Sequence, residues 1–479
     1  MNTYHAQGEV RMSWSQARLA AHSRAVEQVV REYAALPADE PVRLAKRTSN
    51  LFRPRAAHTG PGLDVSSLDH VVELDPQRGV ARVQGMATYE RLVDELLPHG
   101  FVPLVVPQLK TITIGGAVTG LGIEASSFRN GLPHESVLEL EILTGSGRVV
   151  TARPQGEHAD LFHVFPNSYG SLGYALSLTI ELEHASRYVA LRHVRFACLA
   201  DLVAAVGTIM ASRCWEDEPV DFLDGVVFGR HEAYLCLGRW TDSLEGQPRP
   251  SDYTGTEIFY HSIRERRRDV LTARDYLWRW DTDWFWCSRA FGAQQPLVRR
   301  LWPKRLLRSD TYWTIVGFEN RHGVMATLDR WRGRPERERV VQDVEIPLSR
   351  TAEFLEWFLD EVPIEPIWLC PVRLRAASTV PGGGPPWPLY PMRPGEPYVN
   401  VGFWSSVPVA PGRQVGDVNR DLEAQVGRLG GHKSLYSDAF YDEDTFDALY
   451  GGAAYRPVKA TYDPAGRLPT LYEKAVQAR

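Results

Sequence analysis

Val105-Val106-Pro107-Gln108-Leu109-Lys110-Thr111-Ile112-Thr113-Ile114-Gly115-Gly116-Ala117-Val118-Thr119-Gly120-Leu121-Gly122-Ile123-Glu124 carries four glycines and no charge between Lys110 and Glu124. Glycines without a Cβ let backbone N–H groups approach a ligand closely, and a run of such groups suits an anion such as a pyrophosphate. A plain glycine-rich turn between strands is the competing reading of these residues alone. Gly120-Leu121-Gly122-Ile123-Glu124-Ala125 also fits a loose dinucleotide fingerprint, which requires a helix to open directly after it. The following Ser126-Ser127-Phe128-Arg129-Asn130-Gly131-Leu132-Pro133 is polar and broken by glycine and proline, so a Rossmann unit is rejected.

Working outward, residues 13–36 repeat apolar side chains at helical spacing and end before Pro37. Short strands are expected at 42–44, 71–74 and 80–83, a helix at 89–97, a strand pair at 137–144 and 148–152, and a strong strand at 174–183. This alternation reads as one α+β domain. From about Val189 the texture changes, with strands at 190–196, 225–228 and 233–238 and helices at 199–212 and 351–361. Trp278, Trp280, Trp284, Trp286 and Trp302 crowd a basic block between them. Such a block is either core or the apolar lining of a substrate tunnel.

At 479 residues, with 44% hydrophobic and 10% aromatic residues, the chain has material for more than one large core. A net charge of −5 gives no global attraction to nucleic acid. The five cysteines (198, 214, 236, 287, 370) form no CxxC, and the fourteen histidines show no HxxxH or HxH spacing, so neither a disulfide framework nor a metal site is expected. No apolar leader opens the chain and no run of ~18 apolar residues occurs, which leads to the expectation of a cytoplasmic protein without a transmembrane segment, with peripheral membrane contact left open. Oligomeric state is not legible.

The glycine segment, the stretch 160–173 and the tail Tyr455-Arg456-Pro457-Val458-Lys459-Ala460-Thr461-Tyr462-Asp463-Pro464 resemble the vanillyl-alcohol-oxidase/PCMH class of FAD-binding proteins. Within that class Val340-Val341-Gln342-Asp343, Pro366-Ile367-Trp368-Leu369-Cys370-Pro371 and Leu435-Tyr436-Ser437-Asp438 are similar to the delta(24)-sterol reductase family. The resemblance implies an α+β fold in which two α+β subdomains clasp FAD and an α+β cap covers the flavin. The corresponding spans are 13–187 for the FAD domain, 188–430 for the cap and 431–479 for a segment returning to the FAD domain.

It also implies cofactor contacts at Thr113, Ile114, Gly115, Gly116, Ala117, Gly120, Gly122, Ile123, Glu124, Ala125 and Ser126, and at Gly173. Lys46, Arg47, Thr48, Ser49 and Asn50 stand where the class places its first pyrophosphate loop; an ordinary basic turn is the alternative there. Covalent members bond the flavin through a histidine in or near that loop. None occurs between residues 42 and 57, which implies non-covalent FAD. Lys459 is implied as a cation near the reduced flavin, and Glu124, Tyr436, Tyr441 and Tyr462 as candidate proton donors. The implied activity is reduction of an isolated C=C bond in a lipid, a sterol side chain, an unsaturated acyl chain or an isoprenoid, with NADPH as co-substrate. The alternatives are an FAD-dependent oxidase or dehydrogenase of a hydroxylated substrate, and a non-catalytic flavoprotein.

Overall fold

A computed structural model describes residues 3–38, 40–46, 52–53, 62–322, 335–375 and 385–477. The fold is α+β and is built on two antiparallel sheets. The first runs Val71–Asp75, Val80–Gln84, Gly173–His184, Val137–Thr144, Val149–Ala152, and Phe101–Pro103 pairs with the far end of Gly173–His184. The twelve-residue strand Gly173–His184 is therefore its spine, and the antiparallel pairing agrees with rejection of a Rossmann unit.

Helix Tyr89–Leu96 buries Tyr89, Leu92, Val93 and Leu96 at helical spacing, and its Thr88 cap accepts from the Arg91 N–H at 3.2 Å. The glycine segment differs from an extended nest: Ile114–Thr119 is a short helix capped by Thr113. Its Gly115 N–H donates to the Gly85 carbonyl at 2.9 Å, fastening it to the start of the core.

The second sheet has eight strands, in the order Arg268–Thr272, Tyr188–Phe196, Glu232–Thr241, Phe222–Gly229, Ile367–Val372, Tyr398–Pro408, Arg337–Pro347, His432–Lys433. Alternation along three of these strands decides the molecule's layout. Val340, Val344, Ile346, Ile367, Leu369, Val399, Val401 and Phe403 pack with helices Leu199–Ser212 and Leu348–Glu361 on one face. Asp343, Trp368, Asn400 and Trp404, at the intervening positions, turn to the other face, toward the first domain. In register, Gly402 lies opposite both Trp368 and Asp343.

The last strand of the first sheet ends at His184 and the first of the second begins at Tyr188. Beyond 430 the chain adds His432–Lys433 to the edge of the second sheet before it returns to the first domain. That return is latched by Lys459, whose ammonium donates to the Ser171 and Leu468 carbonyls at 2.8 and 2.7 Å and to Asp463 Oδ2 at 2.5 Å. The Val42 N–H donates to the Arg467 carbonyl at 2.8 Å and closes the same junction.

Lys459→Met removes all three bonds from a largely buried site. It is expected to cost about 2–4 kcal/mol, from the worth of charge-assisted hydrogen bonds. Thermal melting of the variant should show a lowered midpoint; an unchanged midpoint would remove the latch role.

Candidate functional site

A cavity of about 380 Å³ lies between the two sheets. The first domain contributes Lys46, Gln108, Thr113, Gly115, Gly116, Gly120, Gly122, Ile123 and Gly173 to its wall. The cap side contributes Trp284, Phe285, Trp368, Trp404, Asp343 and Asn400, and the C-terminal segment Tyr436 and Lys474.

The tryptophan-rich block thus divides between both expected roles. Trp278, Trp280 and Trp286 are buried in the core, whereas Trp284 and Phe285 face the cavity. Trp284 and Phe285 both hold left-handed backbone angles (φ 45° and 60°), a conformation that bulky residues rarely adopt. Such strain persists only where the surrounding structure holds it, as the packed aromatic wall does here.

Polar groups converge on one wall. Tyr436 Oη donates to Asp343 Oδ2 at 2.7 Å and accepts from Trp404 Nε1 at 3.0 Å, while Asn400 Nδ2 donates to Asp343 Oδ1 at 2.8 Å. Burial pushes the Asp343 carboxyl up to about 6 against the pull of the Asn400 and Tyr436 hydrogen bonds. Burial, and then the neighbouring Asp343, raise the Tyr436 phenol well above its ordinary value. The result is a phenol that stays protonated beside a carboxyl that titrates in the mildly acidic range.

Of the expected site residues, Tyr436 reaches this cavity, as do Lys46, Thr113, Gly115, Gly116, Gly120, Gly122, Ile123 and Gly173. Ile114, Ala117, Ala125 and Ser126 do not line it; the first three are core residues, and the Ser126 hydroxyl donates to the Leu104 carbonyl. Arg47, Thr48, Ser49 and Asn50 lie outside the described residues.

Four of the expected catalytic groups do not line the cavity, and each has partners of its own. Glu124 is buried behind the wall, where its Oε1 accepts from Arg279 Nη2 at 3.0 Å, and burial lifts its carboxyl to about 7. Tyr441 packs on Tyr450. Tyr462 donates to Asp160 Oδ1 at 2.9 Å, and Lys459 is spent on the latch. The tail cation that lines the cavity is Lys474, which donates to the Tyr169 and Gly170 carbonyls.

Asp343, Asn400 and Trp404 were not marked as chemical groups by sequence. The signal was present in Val340-Val341-Gln342-Asp343-Val344-Glu345-Ile346, where polar residues interrupt a strand otherwise apolar enough to be fully buried.

The cavity fits a flavin cofactor on two observations. Gln108 Nε2 and Asn400 Oδ1 are buried there without hydrogen-bond partners among the described residues, so a ligand with a polar edge would satisfy them. A Cβ on Gly116 would stand 2.8 Å from Thr113 Oγ1 and 3.7 Å from Lys46 Nζ, within the polar part of the wall. The other glycines serve the protein's own packing: a Cβ on Gly122 would meet Pro133 at 2.6 Å and Pro107 at 3.0 Å.

Residues 17–153 match the family model described as an FAD binding domain. The chain is 25% identical over 426 residues to the Delta(24)-sterol reductase of Homo sapiens, covering 86% of this chain and 77% of that protein. It is 24% identical over 450 residues to the Arabidopsis thaliana Delta(24)-sterol reductase, with 87% and 77% covered. Cytokinin dehydrogenase 9 of Oryza sativa subsp. japonica is 26% identical over 156 residues, 33% of this chain and 29% of that protein. These relatives overturn the expected cytoplasmic location: proteins named for a sterol handle a lipid that partitions into bilayers, and nothing supports a cytoplasmic assignment. Among the described residues no helix is long and apolar enough to cross a membrane.

Gly116→Val is expected to yield a folded, colourless protein, because its branched side chain enters the polar wall. Gly122→Val is expected to lose stability instead, by about 1–3 kcal/mol for overpacking. Flavin absorbance and melting curves of both variants check the distinction, and full flavin occupancy in Gly116→Val would move the cofactor elsewhere.

Proposed function

Because residues 17–153 match an FAD binding domain and most of the chain is similar to Delta(24)-sterol reductases, we propose that it is an FAD-dependent reductase of that family and reduces an isolated C=C bond of a lipid, with NADPH as electron donor. The observation that carries the reading is the Tyr436–Asp343 pair, set in a cavity wall of tryptophan and phenylalanine. Sterol reductase kinship supports the lipid class, and the aromatic wall suits a substrate with little polar surface.

Lys46, Thr113 and Gly116 would hold the cofactor, with Gln108 and Asn400 meeting its polar edge. Reduced FAD supplies a hydride equivalent to such a substrate. No carbonyl stabilises charge on an unactivated alkene, so a proton must be delivered to the second carbon by a positioned acid. Tyr436 holds that proton on Oη at the cavity wall. When Asp343 is protonated it donates to Oη, which frees the phenolic proton to face the cavity. As that proton leaves, Trp404 Nε1 stabilises the charge growing on Oη and the Asp343 proton replaces it. Asn400 keeps the Asp343 carboxyl in line. The aromatic walls exclude water from the transfer.

The sign of the pH dependence follows from the raised Asp343 carboxyl. Its protonated, donating form predominates below about pH 6 and is lost as pH rises through that value. Alkene-dependent reoxidation of the reduced enzyme should therefore slow above pH 6, and Asp343→Asn should be slower and flat in pH. Tyr436→Phe is expected to keep FAD and NADPH-dependent bleaching but to lose reoxidation by about 10²–10⁴-fold, the usual worth of a general acid. Stopped-flow absorbance of the flavin measures both steps.

Anaerobic bleaching by an alcohol but not by NADPH would instead favour a dehydrogenase of hydroxylated substrates. Acid denaturation should release free FAD, since no histidine occurs between residues 42 and 57; colour retained on the precipitated chain would contradict non-covalent binding.

A further inference from the structure

We propose that the surface formed by residues 289–315 docks onto bilayers that carry anionic lipid. Seven large hydrophobic residues are exposed among the described residues, and five of them, Leu297, Val298, Leu301, Leu306 and Ile315, fall in this short segment. Leu297 and Leu301 are 79% and 83% exposed and stand one turn apart on helix Pro296–Leu301, so they share a face. An exposed apolar cluster of this density marks an interaction surface, whereas single exposed apolar residues need no explanation.

Charge selects the partner. Between Asp283 and Asp310 the sequence contains no acidic residue and six cations. Arg299 is consumed by a buried pair with Asp283, and Arg308 by a bidentate pair with Glu90 at 2.8 and 2.9 Å. Arg289, Arg300 and Arg305 are exposed and make no salt bridge among the described residues, while Lys304 faces Asp252 at a loose 3.7 Å. Exposed leucines interleaved with arginines are the composition that lies in a bilayer interface, the apolar side chains entering the acyl boundary and the cations meeting phosphate headgroups. Half-buried Trp302 beside them is a residue type that favours that boundary.

The surface also adjoins the cavity. Helix Ser309–His322 carries Ile315 outward and Trp313 inward, where the Trp313 ring lies 4.6 Å from Phe52 and 5.9 Å from Trp284. Phe52 and Trp284 both line the cavity. A docked bilayer would thus lie one helix away from the aromatic wall. The proposal concerns docking alone and does not depend on which lipid, if any, is reduced.

The test is cosedimentation of the full-length, flavin-loaded protein with phosphatidylcholine vesicles, with and without phosphatidylglycerol, at low and high salt. Wild type should sediment with the anionic vesicles and be released by salt. Leu297→Ser/Leu301→Ser should weaken binding by about tenfold or more, since two leucines no longer leave water. Arg300→Glu/Arg305→Glu should weaken it through charge and lose the salt dependence, each removed cation being worth about fivefold near an anionic surface. Both variants should keep wild-type melting temperature and flavin absorbance, because all four side chains are exposed. Equal binding by the leucine variant, or no preference of wild type for anionic vesicles, would overturn the proposal. So would a wild-type dimer that does not bind vesicles and that the leucine substitutions dissociate, which would assign the face to a second copy of the chain.

Discussion

Arg279 is buried completely, with its Nη2 3.0 Å from Glu124 of the first domain and 2.9 Å from Asp224 of the cap sheet. Two carboxylates and a guanidinium out of water are costly unless each is paired, and breaking such a cluster is far more damaging than never having built it. The cluster therefore fixes how the domains meet. Glu124 directly follows the glycine segment, and Asp224 also accepts from Trp280 Nε1 at 2.9 Å and Trp368 Nε1 at 3.3 Å. Trp368 lines the cavity, so one buried carboxylate sets both the domain contact and an aromatic wall. Burial also raises Glu124 to about 7, which lowers the charge the interior must hold as pH falls. Glu124, a candidate proton donor by sequence, sits in this cluster and outside the cavity lining.

The elements were legible where periodicity is strong. Helix Leu199–Ser212 and strand Val137–Thr144 match the expected spans, since each pairs a clear apolar period with a clear end. The glycine segment was legible as a stretch open to close approach but not as a helix, because glycine-rich sequence has low helix propensity and the Thr113 cap together with tertiary bonds to Gly85 and Ala87 holds it. Tyr436 was legible as a candidate and Asp343 was not. One carboxylate among three in a Val-rich strand, it gains its meaning from Asn400 and Tyr436, more than fifty residues away in sequence. For Lys459 the sequence offered both a cation near the flavin and a pair with Asp463; the structure shows the Asp463 pair, together with the Ser171 and Leu468 carbonyls.

The strand period then explains why the chemical groups cluster where they do. One face of the cap sheet must be apolar throughout because two helices cover it. The opposite face is free to carry Asp343, Asn400 and Trp404, and Gly402 between them keeps the space open: a Cβ there would fall 2.6 Å from Asp343 Oδ1 and 2.7 Å from the Trp404 ring. A one-residue slip of register would exchange these faces and put the carboxylate among the valines. Fold and chemistry are specified by the same alternation.

The aromatic wall links substrate class to proton chemistry through one cause. Asp343 titrates near 6 because it is buried, and it is buried among the tryptophans that make the cavity hospitable to an apolar molecule. A wetter wall would let the carboxyl ionise at its ordinary value, and Tyr436 would then keep its proton turned toward Asp343. A drier site without Asn400 and Tyr436 would leave the carboxyl with no partners at all. The pair is held between those limits, so under the proposed reduction a cavity that excludes water for a greasy substrate would also ready the acid that an unactivated double bond requires.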